Sequence, residues 1–144
     1  MYLHGKVIEY AYEDGWQYRV RFSPGRIDYE VVGGPLTGRK SWEDAQYAQI
    51  APNIHMVAWY EVNGAIVAAV LNLDAMTIYG YVTLPKYVAD NPGAVMLDKS
   101  THLPELLAMR DKGQDAPRKV DLKRGKILSV REAVSERTDL PRQV

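Results

Sequence analysis

The sequence predicts a mainly β protein, a sandwich or barrel of short antiparallel strands with one or two short helices. Three observations carry this expectation. Apolar and polar residues alternate with period two through the first two thirds of the chain. Turn signals interrupt the alternation at short spacing. One of them, Asn63-Gly64, is the strongest short hairpin signature available.

The elements follow in order. Lys6 to Tyr12 alternates and ends at Glu13-Asp14-Gly15. Trp16 to Phe22 alternates again, with Trp16, Tyr18 and Val20 on one face, and Ser23-Pro24-Gly25 turns the chain. Arg26 to Val32 is a third strand, and Gly33-Gly34-Pro35 and Gly38 make an irregular loop. Ser41 is placed to cap a short helical turn, because Trp42, Glu43 and Asp44 follow it and acidic residues suit a first turn. Ile54 to Glu61 is a strand whose hairpin partner is Ala65 to Leu73. That partner is apolar on both faces, the pattern of a covered central strand. Asp74-Ala75 leads into Met76 to Leu84, which Pro85 ends, and Val95 to Leu97 is a short strand candidate. Leu103 to Met109 is expected to be helical, with Thr101 as N-cap and Pro104 in the first turn, where an amide lacks a helical partner. Gly113 to Lys119 reads as loop and Lys126 to Val130 as the last strand. Residues 1–130 are expected to form one barrel domain, and the charged tail 131–144 to fray.

Composition narrows the function. The chain has 144 residues, enough for one domain with its own core. Its 18 basic and 18 acidic residues balance, whereas a domain that grips phosphate backbones carries a basic excess. Nucleic acid is therefore not an expected partner. The longest apolar run, Ala65 to Leu71, is too short to span a bilayer, and no leader pattern opens the sequence. Cysteine is absent, which excludes thiolate chemistry and fits a reducing, cytoplasmic compartment. His4, His55 and His102 lack metal-ligand spacing, and no glycine loop has nucleotide-binding spacing, so neither metal nor cofactor is expected.

An enzyme built from this chain would work with Tyr, Glu, Asp or Arg side chains. There are ten tyrosines and one phenylalanine, which is either strand propensity or a cavity lined with hydroxyls. Glu61 shares a strand face with Trp59 and Val57. It is either an edge residue near the turn or a buried carboxyl able to move protons. Tyr10 and Tyr12, two apart, project to one side, which by itself is ordinary strand packing. Arg39 follows Gly38 in the loop and is either solvated or a grip for a carboxylate.

In combination these residues resemble a known family. Tyr10-Ala-Tyr12-Glu-Asp-Gly-Trp16-Gln-Tyr18, then Ile27-Asp28-Tyr29, Gly34-Pro-Leu-Thr-Gly38-Arg39, Trp59-Tyr-Glu61, Gly80 and Leu84-Pro85-Lys86-Tyr87-Val88 are similar to the ordered motifs of the phenolic acid decarboxylases. Asn91-Pro92 and His102-Leu103 extend the likeness. It implies a small flattened antiparallel barrel of the lipocalin-like (calycin) type, a homodimer and no cofactor. It implies conversion of 4-hydroxycinnamates such as p-coumarate and ferulate to vinylphenols. By motif, the catalytic set falls on Tyr10, Tyr12, Arg39 and Glu61, and the substrate-contacting set on Tyr18, Trp59, Val67, Ala69, Val82 and Leu84. The sequence also departs from the pattern, with Lys40 in place of a usual Trp, Tyr79 in place of a His, and a smaller Ala69, Leu71 and Leu84. A related lyase or isomerase acting on another conjugated or aromatic acid, and a non-catalytic lipocalin-like binder, are the alternative readings.

Overall fold

The computed structural model describes residues 1–113 and 116–134. Eight strands form a closed antiparallel barrel in simple sequence order: β1 Lys6–Tyr12, β2 Gln17–Ser23, β3 Arg26–Gly33, β4 Lys40–Ala51, β5 Ile54–Tyr60, β6 Ile66–Asn72, β7 Thr77–Pro85 and β8 Arg118–Glu132. Each strand pairs with its successor, and β8 returns to pair with β1. Closure leaves no unpaired edge. Three short helices, α1 Lys86–Asp90, α2 Pro92–Val95 and α3 Lys99–Lys112, connect β7 to β8. No helix among the described residues is long and apolar enough to cross a membrane.

The expected strands stand where alternation put them, with four corrections. Ser41 does not cap a helical turn. It pairs with Tyr29 and Trp42 pairs with Asp28 inside β4, so a ladder overrides a local capping preference. The short strand at Val95–Leu97 is absent, since Val95 closes α2. The α3 helix is longer than Leu103 to Met109 and starts behind Asp98, not Thr101, because the Asp98 carboxylate accepts from Ser100 N at 2.9 Å. It kinks at His102, two residues before Pro104. Finally, β8 begins at Arg118 rather than Lys126. Residues 135–144 of the charged tail lie outside the described residues.

Strand β6 is covered on its inner face alone. Val67, Ala69 and Leu71 are buried, while Ile66 on the outer face is exposed. The β5–β6 turn depends on Gly64, which has φ +91 and lies where a Cβ would come within 3.0 Å of the Pro85 ring.

The barrel interior has two halves. Leu3, Ile8, Phe22, Ile27, Val57, Ala69, Leu71, Ile78 and Ile127 pack solidly at one end. Truncating one of these, Phe22→Ala for example, costs about 3–5 kcal/mol. Toward the other end, under α1 and α2, side chains line a cavity instead.

Candidate functional site

The cavity holds about 180 Å³. Pockets for drug-sized ligands begin near roughly 300 Å³, so this one suits a single ring with a short side arm. Strand alternation delivers its walls. Tyr10 and Tyr12 point inward from β1, Trp16 and Tyr18 from β2 and the turn before it, and Tyr29 and Val31 from β3. Arg39 comes from the loop before β4, Trp59 and Glu61 from the end of β5, Val67 from β6, and Val82 and Leu84 from β7. Val88, Ala89, Pro92 and Met96 close the helical end.

Nine of the ten sequence-nominated residues therefore line one cavity, namely Tyr10, Tyr12, Tyr18, Arg39, Trp59, Glu61, Val67, Val82 and Leu84. Ala69 does not line it and belongs to the packed half. Two residues that the sequence did not nominate as site residues are central. Tyr29 accepts from Arg39 Nη1 at 2.6 Å. Asn63 lines the cavity beside Glu61, and its Oδ1 accepts from Ala65 N at 2.9 Å. Tyr29 stands inside the Ile27-Asp28-Tyr29 motif and alternates with Val31, which was the available signal.

Four tyrosines form one cluster. Tyr18 stands 5.7 Å from Tyr10, 6.0 Å from Tyr12 and 5.9 Å from Tyr29, measured between ring centroids. The Tyr10 and Tyr12 hydroxyls are hydrogen-bonded to each other. Burial first, and then neighbouring groups including the Glu61 charge, push Tyr10 and Tyr18 well above the ordinary phenol value. Burial also raises Tyr12 and Tyr29. All four remain neutral near pH 7, as hydrogen-bond donors and not as bases.

The charged groups sit at the cavity wall. Arg39 is held by three acceptors: Tyr29, the Met96 carbonyl oxygen at 3.3 Å and the Leu97 carbonyl oxygen at 3.4 Å. Its pKa is raised overall, because Tyr29 and the Glu61 charge outweigh the opposing effect of burial. Glu61 is buried and accepts from Trp59 Nε1 at 3.2 Å. A carboxylate, a guanidinium and several phenol hydroxyls thus face one small, largely apolar space. Such an arrangement can orient an anionic aromatic molecule and move a proton within it. At the rim, Lys123 pairs with Asp14 at 2.8 Å and lies over the Tyr12 and Trp16 rings. Among the described residues, no cluster of His, Asp and Glu has the makings of a metal site.

Fold and site together define a small-molecule barrel equipped with acid–base side chains. The sequence model of the family described as phenolic acid decarboxylase (PAD) matches residues 1–140. The chain belongs to that family. It is 32% identical over 117 residues to a probable phenolic acid decarboxylase of Vibrio cholerae, an alignment covering 78% of this chain and 66% of the relative. It thus spans slightly under two thirds of that relative's length. The barrel also resembles a crystal structure from Burkholderia vietnamiensis provisionally described as a beta-lactamase, with a TM-score of 0.60 and 16% identity. That match covers 91% of this chain and 95% of the other, and at such identity it speaks for the fold alone.

Proposed function

We propose that this protein is a cofactor-free decarboxylase of 4-hydroxycinnamate-type acids. The observation that carries the reading is the convergence of Tyr10, Tyr12, Arg39 and Glu61 on one small cavity. Direct loss of carbon dioxide from an acrylate would leave a vinyl carbanion with no electron sink. Protonation of the carbon bearing the carboxylate, with loss of the phenolic proton, gives a quinone methide instead. The carbon–carboxylate bond then breaks, its electron pair restores the aromatic ring, and the phenolate regains a proton. Carbon gains one proton and the phenol regains the one it lost, so a carboxylate substrate takes up one proton in all and gives vinylphenol and carbon dioxide.

The side chains fit these tasks. The neutral Tyr10 and Tyr12 hydroxyls and the fixed Arg39 guanidinium supply donors for anionic oxygens. Glu61 is the buried carboxyl at the cavity wall and carries the proton. Tyr18, Trp59, Val67, Val82 and Leu84 hold the ring. A homodimer in the cytoplasm completes the reading. The dimer is supported by an apolar outer face on which Tyr60 adjoins Ile66 and Tyr81 adjoins Leu122, all four exposed.

A related lyase or isomerase acting on a more polar conjugated acid is the second reading, favoured by Lys119, Asp121 and Lys123 on the cavity wall. One experiment separates them. The purified protein is incubated with p-coumarate and with ferulate, and ultraviolet absorbance and product mass are followed. Vinylphenols are expected. Unchanged acids in the presence of folded protein overturn the decarboxylase reading.

A further inference from the structure

Next to Glu61, outside the cavity lining, lies a buried ion pair that the proposed reaction leaves without a task. Strands β4 and β5 pair Ala45 with Trp59. Glu43 stands two residues before Ala45 and Glu61 two after Trp59, and the Glu61 charge acts on Glu43. Glu43 accepts from the backbone N–H of Val62 at 3.2 Å, so it grips the residue that follows Glu61. Lys99 reaches in from the start of α3 and donates to Glu43 Oε2 at 3.2 Å and to the Trp42 carbonyl oxygen. The side chains of Lys99 and Glu43 are 0% and 1% exposed. Buried pairs of this kind seldom repay their desolvation relative to apolar packing, so stability is a poor account of this one. A second carboxylate, Glu61, close enough to act on Glu43 is a further cost.

We propose that Glu43 and Lys99 are positioning residues for Glu61: Glu43 holds the turn that carries Glu61, and the pair sets the balance of charge around its carboxylate. The proposal rests on the reading of Glu61 as proton carrier. The charged and titratable groups around Glu61 are Tyr10, Tyr18 and Tyr29 from β1 to β3, Arg39 from the loop, Glu43 from β4 and Lys99 from α3. Burial, and then the Glu61 charge, push Glu43 up to about 8. Burial pulls Lys99 down, against the pull of Glu43, Glu61 and Asp44. The charges of Glu43, Glu61 and Lys99 therefore act on one another inside the barrel wall.

The test is a titration of the full chain by NMR, with ¹³C-labelled glutamate carboxyls and Glu61→Gln for assignment. A nearby charge moves a carboxyl by roughly one pH unit or more. Glu61 titration is expected to move down by about one unit in Glu43→Gln, which loses a like charge, and up by about one in Lys99→Met, which loses an opposite one. Glu43→Gln keeps an oxygen for Val62 N–H. By reciprocity, Glu43 titration falls in Glu61→Gln, a measurement that needs neither of the other variants to fold. The acid limb of the p-coumarate rate follows the Glu61 shift in each variant. Carboxyls that titrate independently in a protein active on p-coumarate overturn this proposal. Coupled carboxyls in a protein inactive on every acid overturn the functional reading and leave the coupling standing.

Discussion

The Tyr12 hydroxyl lies so close to Gly80 that a Cβ on that glycine would overlap it and meet the ring carbon Cζ at 3.1 Å. Gly125 of β8 crowds the same ring, with a would-be Cβ 2.9 Å from Tyr12 Cδ1. Strand β8, which pairs with β1 beside Tyr12, and its neighbour β7 thus give up side chains where one tyrosine must lie. The ring is rigid, so it cannot yield without leaving its hydrogen bond to Tyr10.

Gly80→Ala should therefore act as a substitution at Tyr12. Overpacking of this kind costs about 1–3 kcal/mol, and the barrel should still fold. The decarboxylation rate with p-coumarate should fall far more than the thermal midpoint. A variant with the parent's rate would show that Tyr12 is not needed in its observed place.

Acid should destabilise the fold through two histidines. Burial lowers the pKa of His4 and of His55. His4 Nε2 and His55 Nδ1 are buried and lack a hydrogen-bond partner among the described residues. Near pH 6.5 the unfolded chain binds protons that the folded chain refuses, so stability falls as pH drops through that value and on toward the folded pKa. Thermal midpoints measured between pH 7.5 and about 5 should decline. The decline should be shallower in His55→Phe, which keeps a ring to stack on Tyr2. Equal slopes in the two proteins would remove His55 from this account.

Much of this was legible in the sequence, for a physical reason. Strands β1 to β3 and β5 to β7 have one buried face, and period-two alternation displays it directly. The Asn63-Gly64 turn and the inward set Trp16, Tyr18 and Val20 followed from the same logic. The first part of β8, before Lys126, was hidden because its pattern is inverted. Lys119, Asp121 and Lys123 face the cavity, while Val120 and Leu122 face out and are exposed. Ser41 to Asp44 carried a helix-start signal that pairing with β3 overrode. Glu43 and Lys99 stand 56 residues apart, and no local pattern joins them. Arg39 could be placed in a loop, but its bond to Tyr29 exists only once β3 and that loop meet.

The inverted face of β8 leads to a test of assembly. Leu122 is 62% exposed and neighbours Tyr81 across the ladder. As part of a dimer contact, Leu122→Glu should convert the dimer to a monomer in sedimentation analysis. The fold should be undisturbed, since surface substitutions cost within about 0.5 kcal/mol. A parent protein that sediments as a monomer would remove the dimer from the proposed function.

Catalysis without a cofactor has its own test. Activity on p-coumarate should survive exhaustive dialysis against a chelator, because the side chains assigned to the reaction are Tyr10, Tyr12, Arg39 and Glu61. Loss of activity that a divalent metal restores would contradict this.

Glu61→Gln bears most directly on the mechanism. Glutamine has nearly the size of glutamate, and its oxygen can still accept from Trp59 Nε1, so the local packing survives. It cannot exchange a proton at neutral pH. Loss of general acid–base help should lower the rate on the order of 10²–10⁴-fold, while p-coumarate still binds. Arg39→Ala provides the contrast. It removes a charged donor, worth about 1.5–3 kcal/mol per hydrogen bond, so KM should rise roughly tenfold to a hundredfold. It also frees the Met96 and Leu97 carbonyls that Arg39 now ties to the cavity wall. Rates, KM values and thermal midpoints of both variants separate proton transfer from binding. A Glu61→Gln protein as fast as the parent would take the proton carrier out of the mechanism. The tyrosine-lined cavity would then remain a binding site whose chemistry lies with other groups.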